Sequence, residues 1–307
     1  MTRKDVRFAS GPSWCAGWLY EQPAAPPGPV VVMAHGLGAV KEMRLAAYAE
    51  RFAAAGYRVL VFDYRHFGES DGQPRGLLDI QRQLDDWAAA IHHARSLPGV
   101  DPQRVVLWGT SFSGGHVIEA AVRDGAVAAV ISQCPFTDGI ASLRAVGVRT
   151  LARLTVLGLR DLVQQVRRRD PVRVALVGGP GDAALMTADD ARAGYLSLVP
   201  EGSAPPTDVA ARVALRIPLH HPGRRAADLA CPALFCVAMK DTVAPARATI
   251  WHVRKARRGK VVRYRAGHFE IYLDPWFEQV VADQLAFLQA EVPVTGDAAG
   301  SSTRLGA

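Results

Sequence analysis

No stretch of this chain approaches the roughly 18–20 uninterrupted apolar residues that a membrane-crossing helix needs, so no membrane span is expected. No apolar segment follows the charged opening Met1-Thr2-Arg3-Lys4-Asp5-Val6, which predicts the absence of a secretory leader. Cysteine is scarce. The 4 cysteines (Cys15, Cys134, Cys231, Cys236) are far apart or set in apolar runs, which excludes a disulfide framework or a metal knuckle. They read as reduced, mostly buried thiols of a cytoplasmic protein. No glycine-rich phosphate loop, EF-hand or His/Cys cluster is present. His92 and His93 are adjacent on a helix rather than four apart, so no cofactor and no metal is expected. Aromatics make up 7% of the chain, and none interleaves with its two dense basic segments, Arg167-Arg168-Arg169 and Arg254 to Lys260. The formal charge of +7 follows from arginine spread along the chain, and a nucleic-acid partner is not expected.

What is there is a globular composition: 307 residues, 49% hydrophobic and 21% charged, enough for one large α/β domain or a domain carrying an insertion. Short β-branched runs alternate with longer helical stretches. The runs are Val30 to Ala34, Arg58 to Asp63, Arg104 to Trp108, Val127 to Ser132, Ala233 to Ala238 and Val261 to Tyr264. Helical patterns cover Leu45 to Ala55, closed by Gly56, and Asp79 to Leu97, and a third begins near Ser113. Continuous apolar strands alternating with helices predict a mostly parallel sheet covered on both faces. Val6 to Phe8 and Gly17 to Tyr20 read as an antiparallel hairpin at its edge. The regularity breaks after residue 137. The expected division is a core in two parts, 1–137 and 228–292, a helical cap inserted at 138–227, and a disordered tail over 293–307. Two cap helices are predicted, Ser142 to Leu157 and Leu159 to Arg169, with their apolar side over the core and pocket and, as a lesser reading, in contact with lipid or a second subunit.

Gly109-Thr110-Ser111-Phe112-Ser113 stands directly after a strand and before a helix. A serine nucleophile must project from a strained turn, and that turn tolerates only small neighbours two residues away on each side. Gly109 and Ser113 are those neighbours. A hydroxyl needs a base, and the base needs an acid partner. Asp241 follows the strand Ala233 to Ala238, and His268 follows the strand Val261 to Tyr264, so the order is Ser, acid, His. The oxyanion donors expected are the backbone N–H groups of Phe112, at the helix start, and Leu37, in His35-Gly36-Leu37-Gly38.

These blocks, with Phe62-Asp-Tyr-Arg-His-Phe-Gly-Glu-Ser-Asp-Gly72, Asp241-Thr-Val-Ala-Pro245 and Gly267-His-Phe-Glu-Ile-Tyr272, resemble the α/β-hydrolase superfamily over about residues 5 to 292, in its lipase-like and serine-aminopeptidase-like branch. The one departure is Ser113, where the family pattern has glycine. The resemblance implies the α/β-hydrolase fold and a catalytic triad of Ser111, His268 and Asp241, with Leu37 and Phe112 as the oxyanion hole. It is a poor guide to substrate.

Other polar residues take structural readings. His35 braces its loop, and Asp63 and Arg65 fix the loop after their strand. His116 packs behind the site, and His220 and His221 belong to the loop or cap surface, with a lesser reading in which one of them lines the pocket. Asp138 caps the first cap segment, with a lesser reading as an alternative acid. The expected activity is cleavage of a carboxylic ester or thioester through an acyl-enzyme on Ser111. An acyltransferase or aminopeptidase-like enzyme with the same triad is the second reading, and a non-catalytic binding protein on this fold the third. Expected partners are a small-molecule acyl substrate and, as options, an acidic acyl carrier or a second copy forming a homodimer.

Overall fold

The computed structural model describes residues 1–21, 27–144 and 146–294. In chain order the elements are β1 (Thr2–Ser10), β2 (Ser13–Glu21), β3 (Gly28–Ala34), α1 (Leu45–Ala54), β4 (Arg58–Phe62), α2 (Ile80–Ser96), β5 (Val100–Thr110), α3 (Phe112–Asp124) and β6 (Ala129–Gln133). Then follow α4 (Gly139–Leu143), α5 (Val148–Val166), β7 (Arg173–Val177), β8 (Ala184–Met186), α6 (Ala191–Ser197) and β9 (Asp208–Ala210). The last are β10 (Ala233–Ala238), α7 (Ala246–Val253), β11 (Gly259–Tyr264) and α8 (Trp276–Glu291). Eight strands form one sheet in the order β1-β2-β4-β3-β5-β6-β10-β11. β1 and β2 are antiparallel, and every pair from β4 through β11 is parallel. Every residue of β3, β4, β6 and β10 is buried, which requires cover on both faces. The chain therefore has the α/β-hydrolase fold.

Between β6 and β10 the structure departs from the expectation of a purely helical insertion. It contains a second sheet of three strands, β8-β7-β9, beside α4, α5 and α6. The two expected cap helices are one. Gly158 does not break α5, because a Cβ there would sit 2.7 Å from Leu215 Cγ; the glycine is a close-packing point rather than a stop. At the C-terminal end, Val292 is buried and its carbonyl accepts a hydrogen bond from Tyr57 at 3.2 Å. The expected tail beyond Val294 lies outside the described residues.

The loop after β3 is tied to the loop after β4 by a buried ion pair. Asp63 accepts from the Lys41 amide at 2.7 Å and from Lys41 Nζ at 2.8 Å. Lys41 is fully buried, and Glu69 and Glu42 contact the same ammonium at 2.6 and 2.9 Å. Arg65 is buried against Asp86 in the same region. Asp63→Ala strands the ammonium with its two more exposed partners. It is expected to lower unfolding stability by about 3–5 kcal/mol in urea titration. An unchanged midpoint would show that Glu42 and Glu69 alone satisfy Lys41.

Candidate active site

Ser111 is the junction between β5 and α3, at φ 56° and ψ −119°, a region that non-glycine residues avoid. The turn is crowded. A Cβ on Gly109 would stand 2.3 Å from the carbonyl oxygen of Ser113, and one on Gly36 would stand 2.7 Å from Ser111 Cβ. Ser113, the departure from the family pattern, is fully buried, and its hydroxyl is paired with Tyr64 Oη at 2.7 Å. Tyr64 in turn accepts from Trp87 Nε1 at 2.8 Å, so a serine costs nothing here that glycine would save.

Three side chains from three strand ends meet in one hydrogen-bonded line. His268 Nε2 lies 3.0 Å from Ser111 Oγ, and His268 Nδ1 lies 2.7 Å from Asp241 Oδ2. Asp241 also accepts from the amides of Val243 at 2.8 Å and Ala244 at 2.6 Å. Those amides hold the carboxylate edge-on to the imidazole, which fixes the tautomer with its proton on Nδ1 and leaves Nε2 to accept from the serine hydroxyl.

The loop carrying Leu37 is braced by His35. Its Nδ1 accepts from the Gly36 amide at 2.7 Å, its Nε2 donates to the Met43 carbonyl at 2.8 Å, and its ring stacks on Tyr272 at 5.9 Å. Burial pushes the His35 pKa down to about 4, with the nearby His268 adding to the effect, so the imidazole is neutral at ordinary pH.

Asp138 and His116 lie as their structural readings placed them, and His220 does not. The carboxylate that pairs with His268 is Asp241, and Asp138 is engaged elsewhere. It caps α4 by accepting from the Ile140 and Ala141 amides, and it pairs with His252 at 3.0 Å and His221 at 3.2 Å. Burial opposes its charge, yet the His252 hydrogen bond and the Ala141 amide hold its pKa at about 2. His220, expected on the cap surface, is buried. It stacks on Phe136 at 6.0 Å and packs on Phe112 and His116, because the turn at 222–228 presses against α3. His116 packs behind the elbow, with Nε2 2.9 Å from Gln83 Oε1.

A cavity of about 800 Å³ opens beside Ser111, between the strand ends and the cap. Its walls include Leu37, Phe112, Phe136, Leu151, Leu154 and Met186, and among the described residues lining it none is charged. A smaller cavity of about 270 Å³ lies on the His268 side and shares Leu37 and Ser111 with the first. The sequence placed an apolar cap face over the pocket, and Leu151 and Leu154 lie there; the walls supplied by Phe136 and Met186 carried no local signal.

The family model described as "Serine aminopeptidase, S33" matches residues 25–275. The quorum-quenching protein AidA of Acinetobacter baumannii (strain MDR-ZJ06) is 50% identical over 290 residues, covering 94% of this chain and 95% of that protein. The polyketide transferase ATR5 of Stachybotrys chlorohalonatus (strain IBT 40285) is 36% identical over 182 residues, 59% of each chain. Among solved structures, DcsB in complex with its substrate analogue superposes with a TM-score of 0.82 at 22% identity, over 95% of this chain and 100% of that one.

Gly36→Ala forces a methyl group into Ser111 Cβ. It is expected to cut turnover about 10²-fold while leaving far-ultraviolet circular dichroism unchanged, since a displacement of this kind misaligns the reacting atoms. Wild-type turnover in this variant would show that the loop relaxes freely.

Proposed function

This chain belongs to the serine aminopeptidase (S33) family of α/β hydrolases, and from that premise we propose that it cleaves an apolar carboxylic ester or thioester through an acyl-enzyme on Ser111. The observation that carries the reading is the Ser111–His268–Asp241 line opening into an uncharged apolar cavity. His268 Nε2 takes the hydroxyl proton as Ser111 Oγ attacks the acyl carbonyl. The amides of Leu37 and Phe112 receive the developing oxyanion, and Asp241 stabilises the imidazolium. The acyl chain occupies the larger cavity. The leaving group occupies the smaller one, within reach of the proton on His268. Water activated by the same imidazole then releases the acid.

The cavity chemistry argues against peptide substrates despite the family description. A peptide's free amino terminus is an ammonium, and binding it without a facing carboxylate costs several kcal/mol of lost hydration. The transferase in the name of the Stachybotrys relative supports a second reading, in which an alcohol or amine replaces water. The quorum-quenching role in the name of the Acinetobacter relative is carried to this chain as part of the same proposal.

Ser111→Ala is expected to abolish both turnover and labelling by a fluorophosphonate, with the adduct on wild-type protein mapping to Ser111. Asp241→Asn should lower kcat about 10⁴-fold, as in serine-protease triads. An adduct elsewhere, or persistent turnover in Ser111→Ala, would sink the assignment. Leu154→Trp, which fills the larger cavity, should shift preference toward short acyl chains in a p-nitrophenyl ester series. An unshifted preference would place the acyl chain elsewhere.

A further inference from the structure

Helix α5 has two apolar faces, and the fold covers only one. The inner face carries Leu151 and Leu154 into the large cavity, and Gly158 and Asp161 are buried beside the turn at Ala211–Leu215. On the outer face Val148, Val156, Leu159, Val163 and Val166 are 83%, 54%, 53%, 48% and 84% exposed. With the exposed Ala152, the steps from 152 to 166 are four, three, four and three, so these side chains form one stripe along the helix. The helix of 19 residues is about 28 Å long. A continuous apolar strip of that length on a surface marks a contact.

The charges beside the stripe narrow down what it contacts. Arg149, Arg153 and Arg160 run along one edge, and Arg167, Arg168 and Arg169 close the helix; all six are exposed. The single carboxylate between residues 148 and 169 is Asp161, buried and bound to Arg212 at 2.6 Å. A second copy of this chain is a poor occupant. Paired antiparallel, the arginine edges face each other. Paired parallel, they face Val148, Thr155 and Leu162, so neither arrangement supplies a counter-charge.

We propose that α5 is an interfacial helix that seats the protein on an anionic bilayer, with the stripe toward the acyl chains and the arginines toward lipid phosphates. One such surface supplies both the apolar depth and the negative charge along the whole stripe. It also sets the acyl cavity directly beneath the lipid-facing helix, where an apolar acyl substrate accumulates.

The test is flotation of the full chain with vesicles. Wild type is expected to float with phosphatidylglycerol/phosphatidylcholine vesicles at low salt. Binding should fall about tenfold or more on phosphatidylcholine alone, at high salt, and in Leu159→Glu/Val163→Glu. That double variant keeps wild-type turnover of a short water-soluble ester, and Ser111→Ala floats like wild type, which separates seating from chemistry. If the double variant unfolds, Arg160→Gln/Arg167→Gln carries the test with the same expected loss. The proposal is overturned if wild type stays with the soluble fraction, or if the folded variants float undiminished. It is also overturned if wild type is a dimer that Leu159→Glu/Val163→Glu splits, because a second copy then covers the stripe.

Discussion

Ser111 is held in a backbone conformation that costs a serine on the order of 1–3 kcal/mol, and the rest of the site is arranged to hold it there. Its amide donates to the Gln133 carbonyl at 2.9 Å, and its own carbonyl accepts from the Phe136 amide at 2.8 Å, so the end of β6 clamps the turn from one side. Gly36 closes on it from the other, near enough that one methyl group would collide. The turn cannot relax without moving β6 or the loop after β3, and both are anchored in fully buried strands. Strain is therefore stored where a hydroxyl must stand clear of the sheet.

The parallel register does the remaining positioning. β6, β10 and β11 are neighbours, so the loops at their carboxyl ends open on one side of the sheet beside the elbow. Asp241 leaves the end of β10 and His268 leaves the end of β11. The two need only short turns to reach each other and the serine. Lys41 and Asp63 act on the opposite flank, tying the loop that carries Leu37 to the end of β4. Residues far apart in the chain thus converge because strand order, not sequence distance, decides which loops touch.

This explains what could be read from the sequence. The elbow residues and the strand-end positions of Asp241 and His268 are local signals, and the residues fall where those signals put them. The cap is different. Arg173–Val177 pairs with strands on either side that are only three residues long, and the short partners left no periodic signal of their own. The two expected cap helices meet at Gly158, where a mid-helix glycine costs about 1 kcal/mol, yet the helix runs through it because contact with Leu215 leaves no room for a larger residue. The pairing of Ser113 with Tyr64 spans 49 positions, and the burial of His220 depends on Phe136; no local pattern encodes either.

Electrostatic isolation is the last constraint. Among the described residues lining the cavity beside Ser111 none is charged, and the second imidazole nearby, His35, is kept neutral by burial down to about pH 4. In the proposed reaction, a protonated His35 would oppose the imidazolium formed on His268. By accepting from Gly36 and donating to Met43, the neutral ring uses both nitrogens to brace the loop that carries Leu37, work that a doubly protonated ring could not do. The same burial that removes a competing charge thus also fixes the loop geometry.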